Sequence, residues 1–231
     1  MDLWRAGAAL STGSTLDFAL DHARARAAVL ADLDVARLGA ALNRAGLGHL
    51  AVVSRADTRD TFIRRPDLGR GLPDDAALGG LGPIDVALVL GDGLSATAVH
   101  LNGVAFIAAL ADRLAGIGLH TGPVVLARQA RVALGDKIAG ALGAETVVMA
   151  LGERPGLSAA DSLGVYITHR PRPETPDSAR NCISNIRDAG LGVDAAADQT
   201  ARLIEAMRAT GKSGVALTRA LSGAAALPPE G

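Results

Sequence analysis

Aromatic residues make up only 2% of this 231-residue chain, so any core must be assembled from Ala, Leu and Val within its 49% apolar fraction. Cysteine occurs once, at Cys182, which excludes an internal disulfide and fits a reducing compartment. Neither charge sign prevails. The formal net charge is -1 at pH 7, whereas a nucleic-acid-binding chain usually carries a basic excess or patch. Long apolar runs are missing too: none approaches the roughly 20 uninterrupted residues that cross a bilayer. The start, Met1-Asp2-Leu3-Trp4-Arg5, lacks the basic, apolar and small-residue zones of a secretory signal. These absences predict a soluble, cytoplasmic protein with neither nucleic acid nor a membrane as partner.

Several chemistries are absent as well. There is no Gly-x-x-x-x-Gly-Lys-Ser/Thr loop to cradle phosphates, and Gly91-Asp92-Gly93-Leu94-Ser95-Ala96 lacks the third Gly of a dinucleotide fingerprint. Gly91 and Gly93 predict instead a tight turn into a helix whose N-terminus could face a polar ligand. The five His and one Cys show no metal-ligand spacing, and no Gly-x-Ser-x-Gly nucleophile elbow occurs. His100-Leu101-Asn102-Gly103 falls short of the Asp-x-His-x-x-Gly pattern whose His replaces the lower axial base of cobalamin, because Ala98 stands where Asp is needed. No self-contained catalytic constellation is present.

What is there reads as two regions, 1–78 and 79–231. After a loose tail to about residue 13, apolar positions at Leu16, Ala19, Leu20, Ala23, Ala27 and Leu30 mark one helical face, with Thr15 as N-cap and Arg24 and Arg26 toward solvent. A second helix over Asp32 to Ala45 turns Val35, Leu38 and Leu42 inward and stops at Gly46. His49 to Val53 and the loop Arg64-Arg65-Pro66-Asp67-Leu68-Gly69-Arg70 follow. Three Arg less one Asp leave that loop at +2. It is either a solvated loop or a contact to an acidic ligand or partner, and composition does not separate the two.

Beyond Gly79-Gly80-Leu81-Gly82-Pro83, strands and helices alternate. Strands are predicted at Ile84–Leu90, Pro123–Ala127, Glu145–Leu151 and Leu163–Thr168, and helices at 95–114, 133–142 and 194–210. The pattern predicts an α/β fold: a mainly parallel, Rossmann-like sheet with helices on both faces, preceded by a small N-terminal helical domain. Right-handed crossovers would gather the strand-end loops on one edge. Those loops hold Asp92 and Ser95, Arg128 and Arg131, Glu153 and Arg154, and His169 and Arg170. The third strand ends in Gly152-Glu153-Arg154-Pro155-Gly156, a tight polar loop of the kind that binds ligands in open α/β sheets.

That loop, continuing through Leu157 and Asp161-Ser162-Leu163, resembles the small (light) subunit of ethanolamine ammonia-lyase. So does the block Asp177-Ser178-Ala179-Arg180-Asn181-Cys182-Ile183-Ser184-Asn185-Ile186. Arg64 to Leu72, Gly91 to Ser95 and Arg131-Val132 fit as well, so the resemblance covers about Leu16 to Met207. It implies a subunit of an adenosylcobalamin-dependent lyase that converts ethanolamine to acetaldehyde and ammonia. In that family a TIM-barrel large subunit carries substrate and radical chemistry, and the small subunit covers the cofactor from below at the interface. The resemblance places three cofactor contacts, at Val132, Glu153 and Cys182, and no catalytic or metal-ligating residue. With no matching His, the cofactor is expected to remain base-on. Each residue type suits its role: an apolar Val against the corrin or its base, an acceptor Glu for corrin amides, and a small polarisable Cys at close approach. Bland alternatives are a core Val, a surface Glu paired to Arg154 and a buried Cys. Family members often carry an N-terminal extension that directs them into a bacterial microcompartment; this sequence starts close to its first helix. A stand-alone cobamide- or nucleotide-binding α/β module is the other reading of the chain.

Overall fold

The computed structural model describes residues 12–79, 81–156 and 159–225. Six strands form one sheet in the order β1-β3-β2-β4-β5-β6. They are β1 (His49–Val53), β2 (Val86–Gly91), β3 (Val124–Arg128), β4 (Thr146–Gly152), β5 (Leu163–His169) and β6 (Asn181–Ile186). The first four in space run parallel, as the alternation predicts. β5 and β6 depart from it: β5 is antiparallel to β4, and β6 to β5. The reason lies in the connection. A parallel return needs a crossover of a dozen or more residues, usually a helix, whereas only residues 153–162 separate β4 from β5.

The strands sort their side chains with period two. Leu88, Leu90, Val148, Ala150, Val165 and Ile167 share one face with Leu38 and Leu42 of α2 (Val35–Arg44), Phe106, Leu110 and Leu114 of α5 (Val104–Gly116), and Ile204 and Met207 of α7 (Val193–Thr210). Ala87, Val89, Val125, Val147 and Met149 turn to the other face, against Leu134, Ile138 and Leu142 of α6 (Leu134–Leu142). Helices therefore cover both faces of the parallel part. Each buried Leu contributes about 1.5–3 kcal/mol of burial free energy, so the core stands without aromatic bulk.

α5 continues a short α4 (Ala96–Ala98) through a π-helical turn at Val99–Gly103. This rod, Ala96–Gly116, has the length and composition to cross a membrane, but half of it is buried inside the fold. Ser95 caps its start by accepting from Ala98 N–H, while the Ser95 hydroxyl donates to Ala160 C=O. Ser95 and Ala96 at that N-terminus are buried, while Gly93 and Leu94 just before it line a cleft.

The N-terminal region also differs from its prediction. It contributes a strand as well as helices, because β1 is hydrogen-bonded in parallel along β3. A short α3 (Arg59–Arg64) follows β1. α1 (Thr12–Leu30) places Thr15 inside the helix rather than at its cap. Its expected inward face is largely outside: Leu16, Leu20 and Leu30 are exposed, and Ala28 is buried. Arg26 is exposed as expected, whereas the tail 1–11 and the Arg24 side chain lie outside the described residues. α8 (Gly214–Ala225), which no sequence pattern announced, closes the described chain.

Candidate functional site

α6 covers the parallel strands but stops short of β5 and β6. On the α6 side of these two strands, Tyr166 faces Cys182 directly across the ladder. A cleft of about 400 Å³ lies over them, lined by Arg70, Arg131, Val132, Tyr166, Arg180 and Cys182 among others. A second cleft of about 220 Å³ adjoins it, with Arg131, Val132 and Tyr166 shared and Gly93, Gly152, Glu153 and Arg154 added. The three residues named from sequence are thus brought around one side chain, Tyr166. Val132 borders both clefts, Cys182 the larger and Glu153 the smaller.

The local fold explains the placement. Gly93, at φ +52°, lies against the Gly152 carbonyl so closely that a Cβ there would collide with it, and Leu94 N–H donates to that same carbonyl at 2.9 Å. This clasp locks the β4 exit to the β2 exit and aims Glu153 outward. Glu153 then lies over Gly164, where a Cβ would come within 2.8 Å of its Oε1. Its Oε2 accepts from the Ser162 hydroxyl and, at 3.3 Å, from Asn185 N–H. No Glu153–Arg154 ion pair forms among the described residues. Cys182 is exposed, 3.3 Å from the Ser184 hydroxyl, which excludes the buried-thiol alternative. Val132 is half-buried just before α6.

Charge is distributed unevenly around the cleft. Arg180 forms a bidentate pair with Asp136, at 2.6 and 2.7 Å, with side chains 4% and 1% exposed. It also bonds Thr168, Thr175 C=O and Asp177. Burial works against the Arg180 charge, but Asp136 and Asp177 outweigh it and raise its pKa. Burial pushes the Asp136 carboxyl up, with Arg180 opposing. Arg131 has no such partner: it stacks over Phe62 at 4.2 Å, and its Nε is buried without a hydrogen bond. Burial first, then Arg59, Arg70 and Arg154, hold its pKa down. The Tyr166 phenol is pushed up to about 12, by burial and then by Cys182 and Glu153.

Beneath the site, Asp92 accepts from Gln129 and Ala130 N–H at 2.8 and 2.9 Å and pairs with Arg59 at 3.2 Å. Arg59 Nε in turn donates to Val29 C=O, which ties the end of α1 to the sheet. Asp92 is therefore a structural anchor, with its carboxyl raised by burial. In the basic loop, Arg64 pairs with Asp60 and Arg65 with Asp67, and Arg70 reaches the cleft. His169 and Arg170 lie at the opposite edge, correcting their expected place, because β5 runs antiparallel. There His169 bonds Thr146 and Arg170 pairs with Glu145. His100 accepts from Asp34 N–H at 3.0 Å and lines neither cleft.

Sequence reasoning missed the roles of Tyr166, Arg180 and Asp136. Tyr166 alternates with Val165 and Ile167, so a period-two reading puts it on the other face. Asp136 carried its own signal, an acid on the apolar side of a helix beside Leu134, Ile138 and Ala139.

Comparison with known proteins gives one result. The family described as ethanolamine ammonia-lyase light chain (EutC) matches residues 1–218. The ethanolamine ammonia-lyase small subunit of Rhodopseudomonas palustris is 49% identical over 220 residues, 93% of this chain and 84% of the relative. That of Bradyrhizobium diazoefficiens is 50% identical over 221 residues, with the same coverage. That of Ralstonia nicotianae is 46% identical over 226 residues, 94% of this chain and 83% of the relative.

Proposed function

The chain belongs to the ethanolamine ammonia-lyase light-chain family, and we propose that, as a lyase subunit, it holds adenosylcobalamin against a large catalytic subunit. The observation that carries this reading is the convergence of Val132, Glu153 and Cys182 around Tyr166 at two joined clefts. The lining fits the cofactor chemically. Val132 and the Tyr166 ring give apolar surface, and Glu153 keeps acceptor capacity for amide N–H groups. No histidine lines either cleft, in keeping with a cofactor that keeps its own base. Once bound, the cofactor supplies the cobalt–carbon bond from which radical chemistry starts.

The residues of this chain bind and orient. Ser162 and Asn185 hold the Glu153 carboxylate in place, and Tyr166 stays a neutral phenol beside it. Substrate chemistry then belongs to the large subunit. The exposed Leu16, Phe18 and Leu20 of α1 offer apolar surface for such a partner. The enzyme is assigned to the cytoplasm, free or within a microcompartment, which fractionation of cells tests.

Reconstitution tests the function. The full chain, the matching large subunit and adenosylcobalamin together should convert ethanolamine to acetaldehyde. Full activity of the large subunit without this chain would sink the proposal. Tight cobalamin binding by the chain as a lone monomer, with no effect on the large subunit, would favour the stand-alone module.

A further inference from the structure

Arg131 is held in place by packing rather than by a counter-charge. Its stem passes Gly69, where a Cβ would come within 2.9 Å of the Arg131 Cγ, and its guanidinium lies over the Phe62 ring at 4.2 Å. Nε is buried with no partner, and Nη2 reaches only Phe62 C=O at 3.4 Å. The nearby acids are already engaged. Asp92 serves Arg59 and two backbone N–H groups, while Asp136 and Asp177 serve Arg180. Arg70 and Arg154 make no ion pair among the described residues and add positive charge around Arg131.

The start of α6 adds to this field. Val132 and Ala133 line the cleft where this helix begins, and because Leu134 and Gly135 N–H already donate to Arg131 and Val132 C=O, the helix contributes its dipole rather than free donors. A helix N-terminus favours an anion, and guanidinium forks match tetrahedral oxyanions. We propose that Arg131, flanked by Arg70 and Arg154 at the start of α6, binds a phosphate or phosphodiester group. In the loaded complex this group is the phosphodiester of the cofactor's nucleotide tail. The tail assignment rests on the cofactor reading above; the anion site itself does not.

The test uses Arg131→Met, which keeps a stem on Phe62 and removes the charge. In the complex of full chain and large subunit, cobalamin is titrated by its visible absorbance beside cobinamide, which lacks the nucleotide tail. Cobalamin affinity should fall at least tenfold in the variant, with cobinamide affinity unchanged and the melting temperature of the chain no lower. Equal loss for both corrinoids, or loss for neither, would overturn the tail assignment. A calorimetric titration of the full chain with inorganic phosphate separates the sources. Saturable binding that Arg131→Met removes, with cobalamin affinity intact, assigns the site to free phosphate instead. Should the wild-type complex bind neither corrinoid, the cofactor reading fails, and the phosphate titration alone decides: binding lost in the variant upholds the anion site, and no binding overturns it.

Discussion

Two arginines reach the same cleft from opposite walls, in opposite states. On the β6 wall, Arg180 is locked bidentately to Asp136, with side chains 4% and 1% exposed, and bonded further to Thr168 and Thr175. On the wall formed by the β3–α6 connection, Arg131 leans on Phe62 with a buried Nε that meets no acceptor. One wall is neutralised within the chain; the other carries charge the chain leaves unanswered. A paired guanidinium fixes α6 to β6 and thereby the shape of the cleft. An unpaired one costs stability unless something outside the protein meets it. The difference separates the residues that build the site from those that wait for a ligand, although both are arginines beside one opening.

Removing the counter-charge on the neutral wall should have the largest effect. Asp136→Ala should leave Arg180 buried with only the exposed Asp177 as counter-charge and cost up to about 3–5 kcal/mol, read by urea unfolding of the full chain. Replacing both partners with apolar residues, Asp136→Leu with Arg180→Met, should recover most of that loss. If the single variant unfolds at the wild-type midpoint, the pair is not the lock described here.

A smaller effect is expected at Glu153. Glu153→Gln keeps the shape and removes the acceptor charge, so cofactor affinity in the two-subunit complex should drop about tenfold, roughly 1.4 kcal/mol. Assembly with the large subunit should be unchanged. Gel filtration and an absorbance titration read the two quantities separately, and unchanged affinity would count against the assigned role.

The smallest effect concerns Tyr166, the one tyrosine of the chain. Its phenol is raised from the ordinary 10.0 to about 12. An acid whose folded pKa lies above its unfolded value stabilises the fold below the unfolded pKa, and that contribution fades as pH rises from about 10 to about 12. Tyrosinate absorbance of the folded protein should therefore be nearly absent at pH 10, where an unfolded tyrosine is half ionised. Half ionisation of the folded chain at pH 10 would show that the wall is wetter than the structure implies. Tyr166→Phe should flatten the loss of stability over the same window.

Much of the fold was legible because its signals are local. β2, β3 and β4 are apolar runs cut off by turns, and α6 ends at Gly143 in the left-handed conformation that favours Gly. Strand direction was not local. The sign that β5 turns back is the absence of any helical pattern between Leu151 and Leu163, a negative signal that is easily overlooked. β6 escaped because an edge strand with Cys182, Ser184 and Asn185 toward solvent carries little apolar pattern. At the site, the motif around Glu153 and Cys182 could be read from sequence. The Asp136–Arg180 pair joins residues 44 apart, and no local pattern reports a contact of that range.

The cofactor should be held only when this chain completes its site. Cobalamin titrated into the large subunit alone, into this chain alone and into the two together tests it most directly. Tight, saturable binding should appear in the mixture, with weak binding in either chain by itself. Equal affinity of the large subunit with and without this chain would contradict the account.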